Sequence, residues 1–206
     1  MSARDEILGR VRSAIAGPKP RRPVPREYRT TTADGLETFL DRLAHYDAVT
    51  HVVDAANLDS TIRSALKDRT RVVVPDAWTT AVEDPLTDDP PLTHDQIDQS
   101  HGVLTTCAVA IAQTGTIVLD ASHGMGRRAL TLLPDYHLCV VNHDQIVSSV
   151  PEAIAKLGHN HPTRPITFVS GPSATVDIEM TRVRGVHGPR NLEVIVVATP
   201  QNHPAT

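Results

Sequence analysis

The chain of 206 residues is 40% hydrophobic but only 3% aromatic, enough for one α/β domain whose core must rest on Val, Ile, Leu and Ala. Its net charge of −4 and pI of about 6.2 give no overall basic field, which argues against nucleic acid as the main partner. No apolar run approaches a bilayer span, and residues 1–12 carry Asp5 and Glu6 rather than a signal-peptide core, so a cytoplasmic protein with no membrane span is expected.

Residues 3–16 place Ile7, Leu8, Val11 and Ile15 at helical spacing with charges between them, the pattern of a short amphipathic helix. Residues 17–29 hold four prolines and five basic residues. That composition predicts an extended basic tether, either a solvated linker or a docking arm for a partner subunit or an acidic surface. From residue 33 the pattern turns α/β, so the chain divides into helix plus tether, 1–32, and an α/β domain, 33–206. Leu36, Phe39, Leu40 and Leu43 share one face of a helix over 34–46. A strand over 48–53, a helix over 58–67 and a strand over 71–75 follow. Residues 83–95 mix five acidic residues with prolines and read as an acidic surface loop or a lid. Strands are expected over 102–106, 109–112, 117–120, 137–141, 166–169 and 192–197, with helices over 127–133 and 144–157. This tight alternation argues for a mostly parallel sheet covered on both faces.

Cys107 and Cys139 each sit among apolar residues and read as buried free thiols. Two cysteines make neither a disulfide framework nor the four-ligand set of an iron–sulfur cluster. No intrinsic cofactor is therefore expected. No metal site is expected either. His159-Asn160-His161 lacks a third ligand at a recognisable spacing, and Asp177 and Glu179, two residues apart, do not share a helix face. There is no Gly-x-Ser-x-Gly elbow and no Gly-x-Gly-x-x-Gly turn.

Polar clusters gather instead at strand ends, where ligands of open α/β sheets lie beyond the carboxyl termini of the strands. Ser170-Gly171-Pro172-Ser173 follows an apolar run. It suits either an anion nest or the cap of a helix starting near Ala174. Gly185-Val186-His187-Gly188-Pro189 sets one histidine between glycines just before the last strand, placed either to exchange a proton or to pin a loop. Gln113-Thr114-Gly115-Thr116 is a polar turn between two apolar runs, a plain turn or a second wall of the same pocket. His123 near Arg127 and Arg128 is a secondary candidate for holding a carboxylate or phosphate.

Together, Ala112 to Thr116, Ser170 to Ser173 with Asp177-Ile178-Glu179, and Gly185 to Pro189 resemble the lactate-utilization protein C, or LUD-domain, family. The resemblance spans about residues 33–198. It implies a Rossmann-like α/β sheet similar to the NagB/RpiA/CoA-transferase group and a part in oxidising L-lactate to pyruvate. It also implies a component without clusters of its own, acting beside iron–sulfur partner subunits. The ligand-binding residues it suggests for a small anionic metabolite are Gln113, Thr114, Gly115, Thr116, Ser170, Gly171, Pro172, Ser173, Asp177, Glu179, Gly185 and Gly188, with His187 as the catalytic candidate. Members commonly carry glutamate where this chain has Gln113, and an amide serves neither as nucleophile nor as general base. The competing expectations are a stand-alone enzyme resembling a formyl-tetrahydrofolate cyclo-ligase or a sugar-phosphate isomerase, and a purely structural adaptor.

Overall fold

The computed structural model describes residues 2–17, 23–25, 27–158, 164–175, 183–185 and 187–198, with the backbone alone at 183 and 184. The first helix, α1 (Ala3–Ile15), opens on a capping box in which Ser2 and Asp5 satisfy each other's backbone N–H groups. None of its residues is buried, so the stripe of Ile7, Leu8, Val11 and Ile15 faces solvent. Thr30 and Thr32 are bonded to the domain: the Thr30 carbonyl accepts from Ser149 Oγ at 2.5 Å, and the Thr32 N–H donates to Ser148 Oγ at 2.9 Å.

The domain then runs α2 (Leu36–His45), β1 (Val49–Asp54), α3 (Leu58–Leu66), β2 (Val72–Val73), α4 (His94–Asp98) and β3 (Gly102–Thr105). Next come β4 (Val109–Ile111), β5 (Thr116–Leu119), β6 (Tyr136–Asn142), β7 (Ile146–Val147), α5 (Val150–Leu157) and β8 (Thr167–Val169). It closes with β9 (Ala174–Thr175), β10 (Val183–Arg184) and β11 (Asn191–Ala198). Five strands form a central sheet in the order β1-β11-β6-β3-β2, and every pairing in it is parallel. A second sheet, β7-β4-β5-β8, is mixed: β4, β5 and β8 run antiparallel, and β7 adds parallel to β4.

Period-two alternation sorts the apolar residues into layers. Tyr136, Leu138 and Val140 of β6, with Ile195 and Val197 of β11, pack against Ile62, Ala65 and Leu66 of α3. Their alternates, Cys139, Val141, Leu192, Val194 and Val196, pack against Phe39 and Leu43 of α2 and the inner face of the second sheet. The outer face of that sheet, Val109, Ile111 and Val118, lies under Ala153 and Leu157 of α5. Each fully buried side chain of this kind contributes roughly 1.5–3 kcal/mol relative to exposure.

Three expectations are corrected. The helix over 144–157 begins only at Val150, because Ile146 and Val147 pair with Ala110 and Ile111 of β4 and Ser149 then caps the helix. Residues 128–131 make a 3-10 turn rather than a longer helix. No helix starts near Ala174. That segment is β9, paired antiparallel with β10, so the turn at Ser170 to Ser173 precedes a strand and has no helix N-terminus to strengthen an anion nest. The acidic segment 83–95 is tied down at Asp88, whose carboxylate takes Arg127 Nε at 2.7 Å, Arg127 Nη2 at 3.0 Å and the Leu92 N–H at 2.8 Å.

Candidate functional site

Ser173 joins the two C-terminal motifs. Its N–H donates to Pro189 O at 2.8 Å, its carbonyl accepts from Gly185 N at 2.9 Å, and its Oγ accepts from His187 N at 3.1 Å. The motifs are close because β9 and β10, which follow one and precede the other, form a hairpin. Between them lies a cavity of about 150 Å³ lined by Ser170, Gly171, Ser173, His187 and Gly188. Leu132, Phe168, Pro189 and Leu192 supply apolar wall. His187 is exposed, and Pro172 is half-buried in the turn. Gly171, at φ +92°, lies so close to Tyr46 that a Cβ there would overlap the Tyr46 Cβ.

The Gln113 to Thr116 turn stands behind this cavity rather than in its wall. Thr116 Oγ1 lies 2.7 Å from Ser170 Oγ and 2.7 Å from Thr114 Oγ1, so three hydroxyls form one chain that fixes the Ser170 side chain. Gly115, at φ +60°, presses the hairpin onto α2, where a Cβ would meet Arg42 Cβ at 2.5 Å. Gln113 is exposed at the hairpin tip, and its N–H donates to Ser148 O at 3.1 Å. Gly185, at φ +78°, packs against Arg190 and is not among the residues lining the cavity. Asp177 and Glu179, and likewise His159 and His161, lie outside the described residues. Among the described residues, no group of three or more His, Cys, Asp and Glu side chains is placed to hold a metal ion.

His137 was not expected here. It is 1% exposed, reaches the cavity from β6, and has Nε2 2.8 Å from Thr105 Oγ1. Burial pulls its pKa down to about 4, so the imidazole is neutral near pH 7. Its signal was the strand period: with Leu138 and Val140 facing α3, His137 must share the opposite buried face with Cys139 and Val141. The location also differs from expectation. The cavity sits at the amino ends of β6 and β11, not beyond the carboxyl ends of the central sheet, because the Ser170 turn leaves the end of β8 in the second sheet.

The secondary candidates line one open cavity with different partners. His123 Nδ1 lies 3.3 Å from Asp76 Oδ2, Arg127 is taken up by Asp88 and by Leu92 O at 2.5 Å, and Arg128 is exposed. Cys107 and Cys139 are both buried and free. The neighbouring Cys139 thiol, then burial, holds the Cys107 thiol well above its ordinary pKa. A larger groove of about 680 Å³ runs beside β1 and α3. In its wall Glu193 accepts from the Tyr136 hydroxyl at 2.8 Å and lies 2.6 Å from His51 Nε2.

A family model described as the LUD domain matches residues 27–197. A protein of Deinococcus radiodurans named lactate utilization protein C is 46% identical over 202 residues, covering 95% of each chain. One of the same name from Shouchella clausii is 36% identical over 98 residues, 46% of this chain and 42% of its own. The crystal structure of a DUF162 family protein from Deinococcus radiodurans matches with a TM-score of 0.68 at 42% identity, over 78% of this chain and 94% of that one. Among the described residues, no helix is long and apolar enough to cross a membrane.

Proposed function

The chain belongs to the LUD-domain family, and on that premise we propose that it serves lactate utilization as a component that binds a small anionic metabolite in the cavity between Ser170 and His187. The observation that carries this reading is the convergence of two segments, the turn bearing Ser170 and Ser173 and the turn bearing His187, on one cavity of about 150 Å³. That volume is below the roughly 300–1,000 Å³ of drug-sized sites and suits a metabolite of a few heavy atoms. The serine hydroxyls donate to the carboxylate of a hydroxy or keto acid. His187 meets its hydroxyl or carbonyl oxygen, and the neutral His137 and the apolar wall enclose its carbon skeleton.

Redox chemistry in this reading resides on partner subunits that carry iron–sulfur clusters, since the two thiols here are buried and too few for a cluster. The basic tether and the exposed stripe of α1 are the surfaces offered to such partners.

His187 is exposed, so His187→Ala leaves the fold intact. In source cells that variant is expected to abolish growth on lactate while its unfolding midpoint stays at the wild-type value. Normal growth overturns the ligand role. A companion test is anaerobic purification of the tagged chain from lactate-grown cells. Recovery without iron–sulfur proteins or lactate-dependent dye reduction overturns the accessory role.

A further inference from the structure

We propose a second ligand site at the opposite end of the central sheet, one that takes a phosphate-bearing metabolite. It does not rest on the function proposed above. Two cavities, of about 370 and 640 Å³, lie beyond the carboxyl ends of β2, β3 and β6 and share Ser122 and His123 as a common wall. One ligand crossing that wall therefore meets both. Parallel α/β sheets place ligands at this edge, and the Ser170 cavity leaves it unused.

The two halves differ in chemistry. The larger carries Arg128 and Arg164, both exposed, and neither forms an ion pair with a described residue. Arg127, in the same wall, is neutralised by Asp88. Asp76 is engaged by the Gly124 N–H and by His123. Two guanidiniums set against one carboxylate leave a net positive end, and a phosphate dianion matches a pair of guanidiniums better than a single carboxylate does. The smaller half offers Ser122 and Asn142 beside one cation and one carboxylate: Lys156, whose ammonium donates to Asp144 O, and the buried Asp120, which accepts from the Ser122 N–H at 3.1 Å. With no excess of positive charge, this half suits the polar, non-phosphate part of the same molecule.

The loop that carries the common wall is built to stay in place. Ala121, Gly124 and Gly126 hold φ of +57°, +77° and +63°. A Cβ on Gly124 would meet Thr106 Oγ1 at 2.5 Å, and one on Gly126 would meet Leu130 Cδ1 at 2.7 Å. The loop is thus pressed onto the segment after β3 and the one before β6, and Arg127, tied to Asp88 and Leu92, closes it. Arg128, the next residue, is held out over the cleft.

Isothermal titration with inorganic pyrophosphate tests this on the full chain. Saturable one-to-one binding is expected. It should weaken by at least about tenfold in the Arg128→Ala/Arg164→Ala double variant, which removes two charge-assisted contacts from exposed positions. His187→Ala should bind pyrophosphate like the wild type, and succinate at matched ionic strength should not compete. No saturable binding overturns the proposal. So does unchanged binding in the double variant, which would assign the heat to the basic tether. Loss in His187→Ala would assign it to the Ser170 cavity, and competition by succinate would refute the phosphate class.

Discussion

His137 should make the protein lose stability in mild acid, before its carboxylates protonate. The imidazole is buried against Thr105, and its folded pKa of about 4 lies below the ordinary 6.5. As pH falls, the unfolded chain takes the proton first, so stability is complete above pH 6.5 and is lost progressively toward about pH 4. The gap converts to about 3 kcal/mol, a large part of the roughly 5–15 kcal/mol that holds a typical domain folded. Urea unfolding followed by circular dichroism between about pH 7.5 and about pH 4.5 measures it. The comparison is His137→Gln, which keeps a polar partner for Thr105 and cannot titrate in that range. The variant is less stable throughout, so the slopes with pH are compared rather than the absolute values. A wild-type slope steeper by most of that amount is expected. Parallel slopes would refute the assignment of a buried, neutral His137.

Arg127→Ala leaves the half-exposed side of a forked ion pair empty and should cost about 1–2 kcal/mol once its partial exposure is allowed for, read as a lower urea midpoint at unchanged slope. Gly115→Ala drives a Cβ into Arg42 at a positive φ and should cost about 1–3 kcal/mol, whereas Gly188→Ala, with nothing closer than 3.7 Å, should cost under about 0.5 kcal/mol in the same thermal scan. Cys107 and Cys139 should stay unreactive to a thiol-modifying disulfide reagent in the native protein and react together on unfolding; rapid native labelling would contradict their burial and the raised Cys107 pKa.

Much of the fold was legible because period-two and 3.6-residue patterns survive one at a time along the chain. Leu36, Phe39 and Leu43 mark α2, and the apolar run before Asn142 marks a strand buried on both faces. What stayed hidden depends on distant partners. Ile146-Val147 continues a helical pattern on paper, but β4 offers it a free edge, and pairing wins over propensity. Ala174-Thr175 looks like a helix start until β10 arrives to pair with it. Within the site, Ser170, Ser173 and His187 were readable as motifs. The role of Gln113 to Thr116 as a hydroxyl chain and hairpin clamp was not, because it needs α2 and Ser170 in place. His137 was hidden by its own setting, a lone polar residue in an apolar strand.

The proposed ligand of the cavity between Ser170 and His187 is a small carboxylate. The most direct measurement is a titration of pyruvate, and then L-lactate, into the isotope-labelled chain, followed by amide chemical shifts. Saturable shifts are expected, centred on Ser170, Gly171, Ser173 and Gly188, and they disappear in His187→Ala. Shifts that never saturate, or that centre elsewhere in the domain, would contradict this proposal.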